Sequence, residues 1–216
     1  PFSFFNIFSS NPPVVVFSAA RRVRNNTTKD TLHNAMQQKE VVINVVNYDI
    51  TQQVNLSSAE YSSDVDEFVK SGLTPIDSDL VAPRRVKESP VSLECEVRDV
   101  LHMGEEGGAG NLVMCVVKKM HIADDVLSEN GGIDQDAIDL VGRLGKAWWV
   151  RASGDALFEL APPKLGIGVD QIPDVIRRST ILTGNNLGQL GSEITLPTAE
   201  EVEAKKNDFD VRRILQ

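Results

Sequence analysis

Apolar and polar positions alternate most cleanly in the middle of the chain. Residues 91–103 and 112–122 place Val91, Leu93, Cys95 and Val97, then Val113, Cys115 and Val117, at every second position. A period of two predicts two long, half-buried strands. The Gly- and Glu-rich stretch Gly104–Asn111 would join them as a flexible hairpin loop. Two shorter runs, Val14–Ser18 and Val41–Val46, are rich in β-branched residues and predict buried strands. Between them, Leu32, Ala35 and Met36 form one apolar stripe, which predicts a helix from Thr31 to about Lys39 with Asp30 as its cap. From Tyr48 to Gly72 the pattern is helical but broken, anchored by Ile50, Val54 and Leu56 and then by Val65, Phe68 and Val69. Thr74–Pro90 carries three prolines and predicts a long connection, of a kind that often serves function or wraps a partner subunit.

Asn130-Gly131-Gly132 marks a turn, and 134–141 predicts a short helix. Residues 146–151 and 156–160 predict a hairpin around Ser153-Gly154-Asp155. After Pro162-Pro163 the composition shifts. There the pattern predicts a short helix over 169–178 interrupted at Pro173, a Gly/Asn loop over 183–191, and a charged helical tail over 199–210. Strands dominate and neighbours in sequence are antiparallel, without the βαβ alternation of a doubly wound sheet. The expected fold class is mainly β with peripheral helices, a closed or partly open barrel. Residues 1–162 would form the barrel domain, and 163–216 an extension packed on the barrel or on a partner subunit.

Composition narrows the function. The 216 residues are 41% hydrophobic and 25% charged, ordinary for a globular chain able to bury a real core. The net charge of -9 argues against nucleic acid as a partner, because a phosphate backbone needs clustered cations. The longest basic cluster, Arg21, Arg22 and Arg24, suits a single phosphate group. No stretch approaches the roughly 18 apolar residues of a membrane span. No leader pattern is present, and the two cysteines, Cys95 and Cys115, sit in alternating apolar runs. Buried reduced thiols and a cytoplasmic location are expected, with no membrane association. Residue 1 is Pro, so the true start is expected upstream.

Candidate chemistry is sparse. His33, His102 and His121 show no metal-ligand spacing, no Gly-x-Ser-x-Gly elbow exists, and no cysteine pair builds a zinc site. The glycine loop at 104–111 lacks the Lys-Ser/Thr of a phosphate-binding loop, and its two glutamates would repel phosphate. The strongest constellation lies near the N-terminus. The end of the Val14–Ser18 strand leads through Ala19 to the basic loop with Arg21, and Lys29, Asp30 and Thr31 open a helix. Free N–H groups at a helix start, flanking cations and a hydroxyl together make an anion site. The plainer alternative is an N-cap beside a solvated basic loop.

The same residues carry a family resemblance. PFSFFNIFSSNPPVVVFS at 1–18, RRVRNNTTKDTLHN at 21–34, EFVKSGLTPIDSDLVAPRRVKESPVSLECEV at 67–97, GNLVMCVVKKMHI at 110–122 and GRLGKAWWVRAS at 142–153 match in order. Together they resemble the flavin reductase-like, FMN-binding split-barrel family. GIGVDQIPDVIRRSTILTGNNLGQLG at 166–191 resembles the C-terminal extension of its long-chain branch, so the likeness covers about residues 1 to 192. The resemblance implies a split β-barrel, a homodimer, and non-covalent FMN near the subunit interface. It implies that Phe2, Ser3 and Phe4 lie against the flavin ring, largely through their backbone. It implies that Ser18, Ala19, Arg21, Lys29, Asp30 and Thr31 surround the ribityl phosphate. Trp148 and Trp149 correspond to an aromatic pair of the family, of which at most one should approach the site, and Arg143 and Gly145 would border the flavin. In the family a further strand precedes the segment matching Pro1, and this sequence lacks it.

The function expected from this resemblance is an NAD(P)H-dependent flavin oxidoreductase that passes electrons through FMN to a small-molecule acceptor. The alternative is a non-enzymatic FMN-binding electron carrier or flavin store. No catalytic side chain is required, because FMN carries the redox chemistry. Nothing resembles a dinucleotide-binding fingerprint, so NADH or NADPH would stack on the flavin in an open cleft, which residues 183–191 would cover unless they wrap the partner.

Overall fold

The computed structural model describes residues 1–206. The chain divides into two compact units, Pro1–Leu157 and a second that begins at Phe158. The first unit is built on one antiparallel sheet of five strands, in the order β1-β2-β7-β6-β3. These are β1 (Phe5–Ser10), β2 (Pro13–Ser18), β3 (Glu40–Asn44), β6 (Val91–His102) and β7 (Asn111–Ile122). Two small ribbons accompany it: β4 (Pro75–Ile76) with β5 (Arg85–Val86), and β8 (Leu140–Arg143) with β9 (Trp149–Ala152).

The long alternating strands form as the pattern predicts. Val15 pairs with Cys115 and Phe17 with Val113, while Val97 faces Cys115 from the other side. These residues form one core with Val91, Leu93 and Cys95. Helix α1 (Asp30–Gln38) covers it with Leu32 and Ala35, both almost fully buried. Both thiols are buried and free, and burial pushes each up to about 12. Register shifts at Glu94/Cys95, where Lys118 of β7 is the extra residue, and at Val97/Asp99, where Arg98 of β6 is, mark one bulge in each strand. Such bulges bend a strand and increase its twist.

Both faces of β6 are buried from Val91 to Cys95. The second face is covered by the Thr74–Pro90 connection, which is pinned to its own sheet. Ala82 N donates to Glu40 Oε2, Val86 N to Asn44 Oδ1, and Ser89 Oγ to Val45 O. Asp79 N and Leu80 N both donate to the buried Glu94 carboxylate. Helices α2 (Thr51–Leu56) and α3 (Glu67–Ser71) occupy the broken helical stretch, and Ile50, Val54 and Leu73 form a small second core there.

Several expectations are corrected. Residues 5–10 are a strand, although both faces of β1 are exposed and no alternation announced it. β3 is half-buried rather than buried, because it is an edge strand. The helix expected over 134–141 is only α4 (Gln135–Ile138), and Leu140 and Val141 enter β8 instead. β9 pairs back onto β8, Arg143 opposite Trp149, and not forward onto 156–160. The tight turn is therefore at 144–148, and Gly154–Ala156 is a single 3₁₀ turn. Asp30 does not cap α1; the cap position is Lys29, whose side chain makes no capping bond.

In the second unit, α5 (Asp174–Arg177) starts after Pro173, as a helix interrupted there should. Residues 184–192 are helix α6 (Gly184–Ser192) and not a loop. Glycine and asparagine lower its helix propensity, but a capping box offsets this: Thr183 Oγ1 accepts from Asn186 N, and Asn186 Oδ1 accepts from Thr183 N. Helix α7 (Ala199–Lys206) begins where the charged tail was expected; the remainder of that tail, 207–210, lies outside the described residues. Among the described residues no helix is long and apolar enough to cross a membrane.

Candidate functional site

The fold brings the N-terminal segment, the end of β2 and the start of α1 together. Phe4 O accepts from Ser18 N at 2.9 Å, so the backbone of the aromatic segment is tied to the strand end. The Phe2 ring lies against Phe17, centroids 5.5 Å apart, and the Lys29 ammonium stands 5.0 Å over the Phe2 ring. Ser3 and Phe4 are exposed beside it, Phe4 by 67%. Phe4, Phe5, Asn6, Phe8, Phe17 and Ser18 help to line an open, mainly apolar groove of about 210 Å³.

Ser18 and Ala19 are buried, and their backbone is fixed from the opposite side. Ala19 N donates to Asn111 O, and the buried Asn111 Nδ2 returns a bond to Ala19 O at 2.7 Å. Asn111 Oδ1 accepts from His102 Nδ1 at 2.6 Å. Arg21 N donates to Ala109 O and Gly108 N to Arg21 O, so the 104–111 hairpin loop is zipped to the basic loop rather than hanging free. The zipper needs glycine: a Cβ at Gly107 would meet Val23 O at 2.9 Å, and one at Gly110 would meet Ser18 Oγ at 2.9 Å.

The basic loop is ordered by its own arginines. Arg21 commits Nε to Asn26 Oδ1 and one Nη to Asn26 O. Arg22 binds Thr27 Oγ1 and lies 3.9 Å from Glu60. Asp30 accepts from Ser63 Oγ, and Thr31 is exposed at the first turn of α1. No side chain caps α1, and at such a helix start the free N–H groups and the helix dipole favour an anion. Phe2 and Lys29 thus meet by direct contact, and Phe4 and Ser18 by a backbone hydrogen bond. Ala19 joins them through the backbone. Arg21 is present but engaged in holding its loop.

The contributions of Asn111 and His102 escaped the sequence reading. The signal was a polar residue directly before an apolar strand. Glu94 escaped it too, although a charge inside the run Val91–Val97 was visible. Its carboxylate is fully buried. Burial pushes it up, but the Asp79 and Leu80 N–H groups and His121 Nε2 at 2.5 Å outweigh that and hold it at about 2. Asp79, Glu94 and His121 offer ligand atoms within 4.8 Å of one another. The cluster satisfies itself, however: Glu94 is saturated by donors, and Lys119 pairs with Asp79. It is a structural anchor for the connection.

Comparison with known proteins decides the family. The family model described as "Flavin reductase like domain" matches residues 1–138. The chain belongs to this family. An uncharacterized protein of Aquifex aeolicus (strain VF5) is 33% identical over 155 residues, 72% of this chain and 76% of its own length. The crystal structure of nitrilotriacetate monooxygenase component B from Bacillus cereus is 27% identical, with a TM-score of 0.67 over 74% of this chain and 78% of that one. A protein with a split barrel domain from Shewanella frigidimarina NCIMB 400, named as a candidate flavin reductase, is 28% identical, with a TM-score of 0.63 over 74% and 76%. The five-stranded sheet is therefore that of a flavin reductase-like split barrel.

Proposed function

We propose that this protein is an FMN-dependent oxidoreductase that takes its electrons from NADH or NADPH. The observation that carries the reading is an uncapped helix start with the Lys29 ammonium over the Phe2 ring, in the same N-terminal segment whose following residues line the apolar groove. A planar apolar ring attached to a phosphate needs those two environments side by side. Phe2, Ser3 and Phe4 would flank the ring. Lys29 and the N–H groups of Asp30 and Thr31 would hold the phosphate, with Ser18, Ala19 and Arg21 shaping its rim. Bound FMN would supply the redox chemistry, taking a hydride from the nicotinamide and passing two electrons to a small-molecule acceptor. The chain's own part is to bind, orient and exclude water.

A larger concavity of about 590 Å³ in the second unit fits this ligand poorly. Its charged lining groups are Glu193 and Glu201, which repel phosphate. The groove at Phe4, by contrast, falls below the roughly 300–1,000 Å³ of a complete small-molecule site. A half-site of this kind fits a homodimer in which a second copy closes the flavin pocket.

The test is the visible spectrum of the purified chain, before and after FMN is added and the sample desalted. Retained flavin absorbance is expected, and Lys29→Ala should weaken FMN binding by about tenfold, the loss of one charge-assisted phosphate contact. Unchanged affinity in that variant overturns the phosphate assignment. Oxidation of NADH or NADPH with FMN present marks an enzyme, whereas FMN held without oxidation marks an electron carrier.

A further inference from the structure

The β8–β9 hairpin ends in a tip that takes no part in the groove at Phe4 or in the Lys29 contact. Leu144 N donates to Trp148 O at 2.9 Å and Trp148 N to Gly145 O at 3.2 Å, closing a compact turn with Lys146 in the left-handed region, φ 58°. Arg143 stacks on Trp149, 5.1 Å from its ring, and one Nη donates to Lys146 O at 2.7 Å. The turn is therefore closed by its own hydrogen bonds and by the Arg143–Trp149 stack. Trp148, on the other side, leaves 70% of its surface exposed.

Charge at this place runs against the rest of the molecule. The chain carries a net -9, yet no acidic residue stands between Asp139 and Asp155, while Arg143, Lys146 and Arg151 all do. Arg151 is neutralised by Asp139 at 2.7 Å and stacks on Tyr48 at 3.9 Å. Arg143 and Lys146 form no ion pair among the described residues. An exposed indole two residues from Lys146, in the same tight turn, matches a ligand with an aromatic base and a phosphate group close together. In an acidic protein, a local positive tip also concentrates an anionic ligand there.

We propose that this tip binds the adenosine 2′-phosphate end of NADPH, with the adenine on Trp148 and the 2′-phosphate at Lys146. The proposal rests on the reading that the protein oxidises a reduced nicotinamide, and it adds the preference for NADPH over NADH. Lys146 discriminates by charge, and Trp148 supplies the shared affinity for adenine.

The experiment is calorimetric titration of the FMN-loaded full chain with adenosine 2′,5′-bisphosphate, using 5′-AMP as the comparator. Steady-state oxidation of NADPH and NADH is measured on the same samples. Trp148→Ala should weaken both adenosine ligands by about tenfold, within the range for losing one base–aromatic stack, and Trp148→Phe should restore part of it. Lys146→Ala should weaken the bisphosphate severalfold and leave 5′-AMP unchanged, and should raise KM for NADPH but not for NADH. Absence of saturable bisphosphate binding, or wild-type affinity in Trp148→Ala, overturns the site. So does Trp148 fluorescence that follows protein dilution and not nucleotide, which would place the tip against a second copy. Nucleotide oxidation without bisphosphate binding sinks this site and leaves the oxidoreductase standing. Bisphosphate binding with the stated variant pattern, but no oxidation of either nucleotide, upholds the site and sinks the oxidoreductase.

Discussion

Asn111 is 1% exposed, and its amide makes two different bonds, donating from Nδ2 to Ala19 O and accepting at Oδ1 from His102 Nδ1. Because the Asn oxygen can only accept, the His102 proton must sit on Nδ1. The amide thereby fixes the backbone at Ser18–Ala19, next to the groove and to the Phe4 bond. Asn111→Ala leaves a buried carbonyl unsatisfied and should cost about 1–3 kcal/mol. Asn111→Asp should cost more, because a carboxylate cannot donate to Ala19 O and repels it. Thermal unfolding gives the order of the two, and FMN titration should show both binding more weakly than the wild type. If FMN affinity stays unchanged in a folded Asn111→Ala variant, Ala19 does not shape the flavin site.

Elements differed sharply in how visible they were. β2, β6 and β7 were legible because one face of each packs on the core, which writes itself into the sequence as apolar positions at fixed spacing. β1 was not, since Phe5, Ile7 and Phe8 are all exposed and alternation has no cause there. The partner of β9 was not legible either, because a four-residue strand pairs equally well in pattern with a strand on either side of it. Of the residues the sequence singled out, the fold joins Phe2 to Lys29 and Phe4 to Ser18, whereas Asn111 and Glu94 act through contacts from residues distant in sequence. Glu94 also gives the connection a pH dependence. Its carboxyl is held at about 2 in the folded chain, below the ordinary range near 4.5. A depressed folded pKa contributes stability above the unfolded value, and that stability is lost as pH falls from about 4.5 toward 2. Hydrogen exchange at the Asp79 and Leu80 amides should therefore accelerate across that window, and in Glu94→Gln it should be fast already at pH 6. Protection that persists unchanged in Glu94→Gln would show that other contacts hold the connection.

At the scale of the whole molecule, the exposed edge of the sheet and the incomplete groove coincide. β1 ends the strand order, so one of its edges is unpaired among the described residues, and such an edge is a template for another chain. Phe4, Ile7 and Phe8 are 67%, 67% and 69% exposed along it, and Phe4 and Phe8 also line the groove. Three exposed large apolar side chains within five residues, on a chain of net charge -9, are the kind of patch that a partner surface covers. If a second copy covers it, dimerisation and flavin binding are linked, because FMN that contacts both subunits binds the dimer and not the monomer. Phe8→Asp should then shift sedimentation at micromolar concentration from dimer to monomer. It should lower FMN retention in proportion, and lower the thermal midpoint only by the loss of the partner and of FMN, since Phe8 is exposed within one subunit. Added FMN should pull the variant back toward the dimer, the reciprocal effect that linkage requires. A Phe8→Asp protein that remains dimeric but loses FMN would keep Phe8 in the flavin site and move the interface elsewhere. One that becomes monomeric while holding FMN as before would separate the two and leave the groove as a complete site within a single chain.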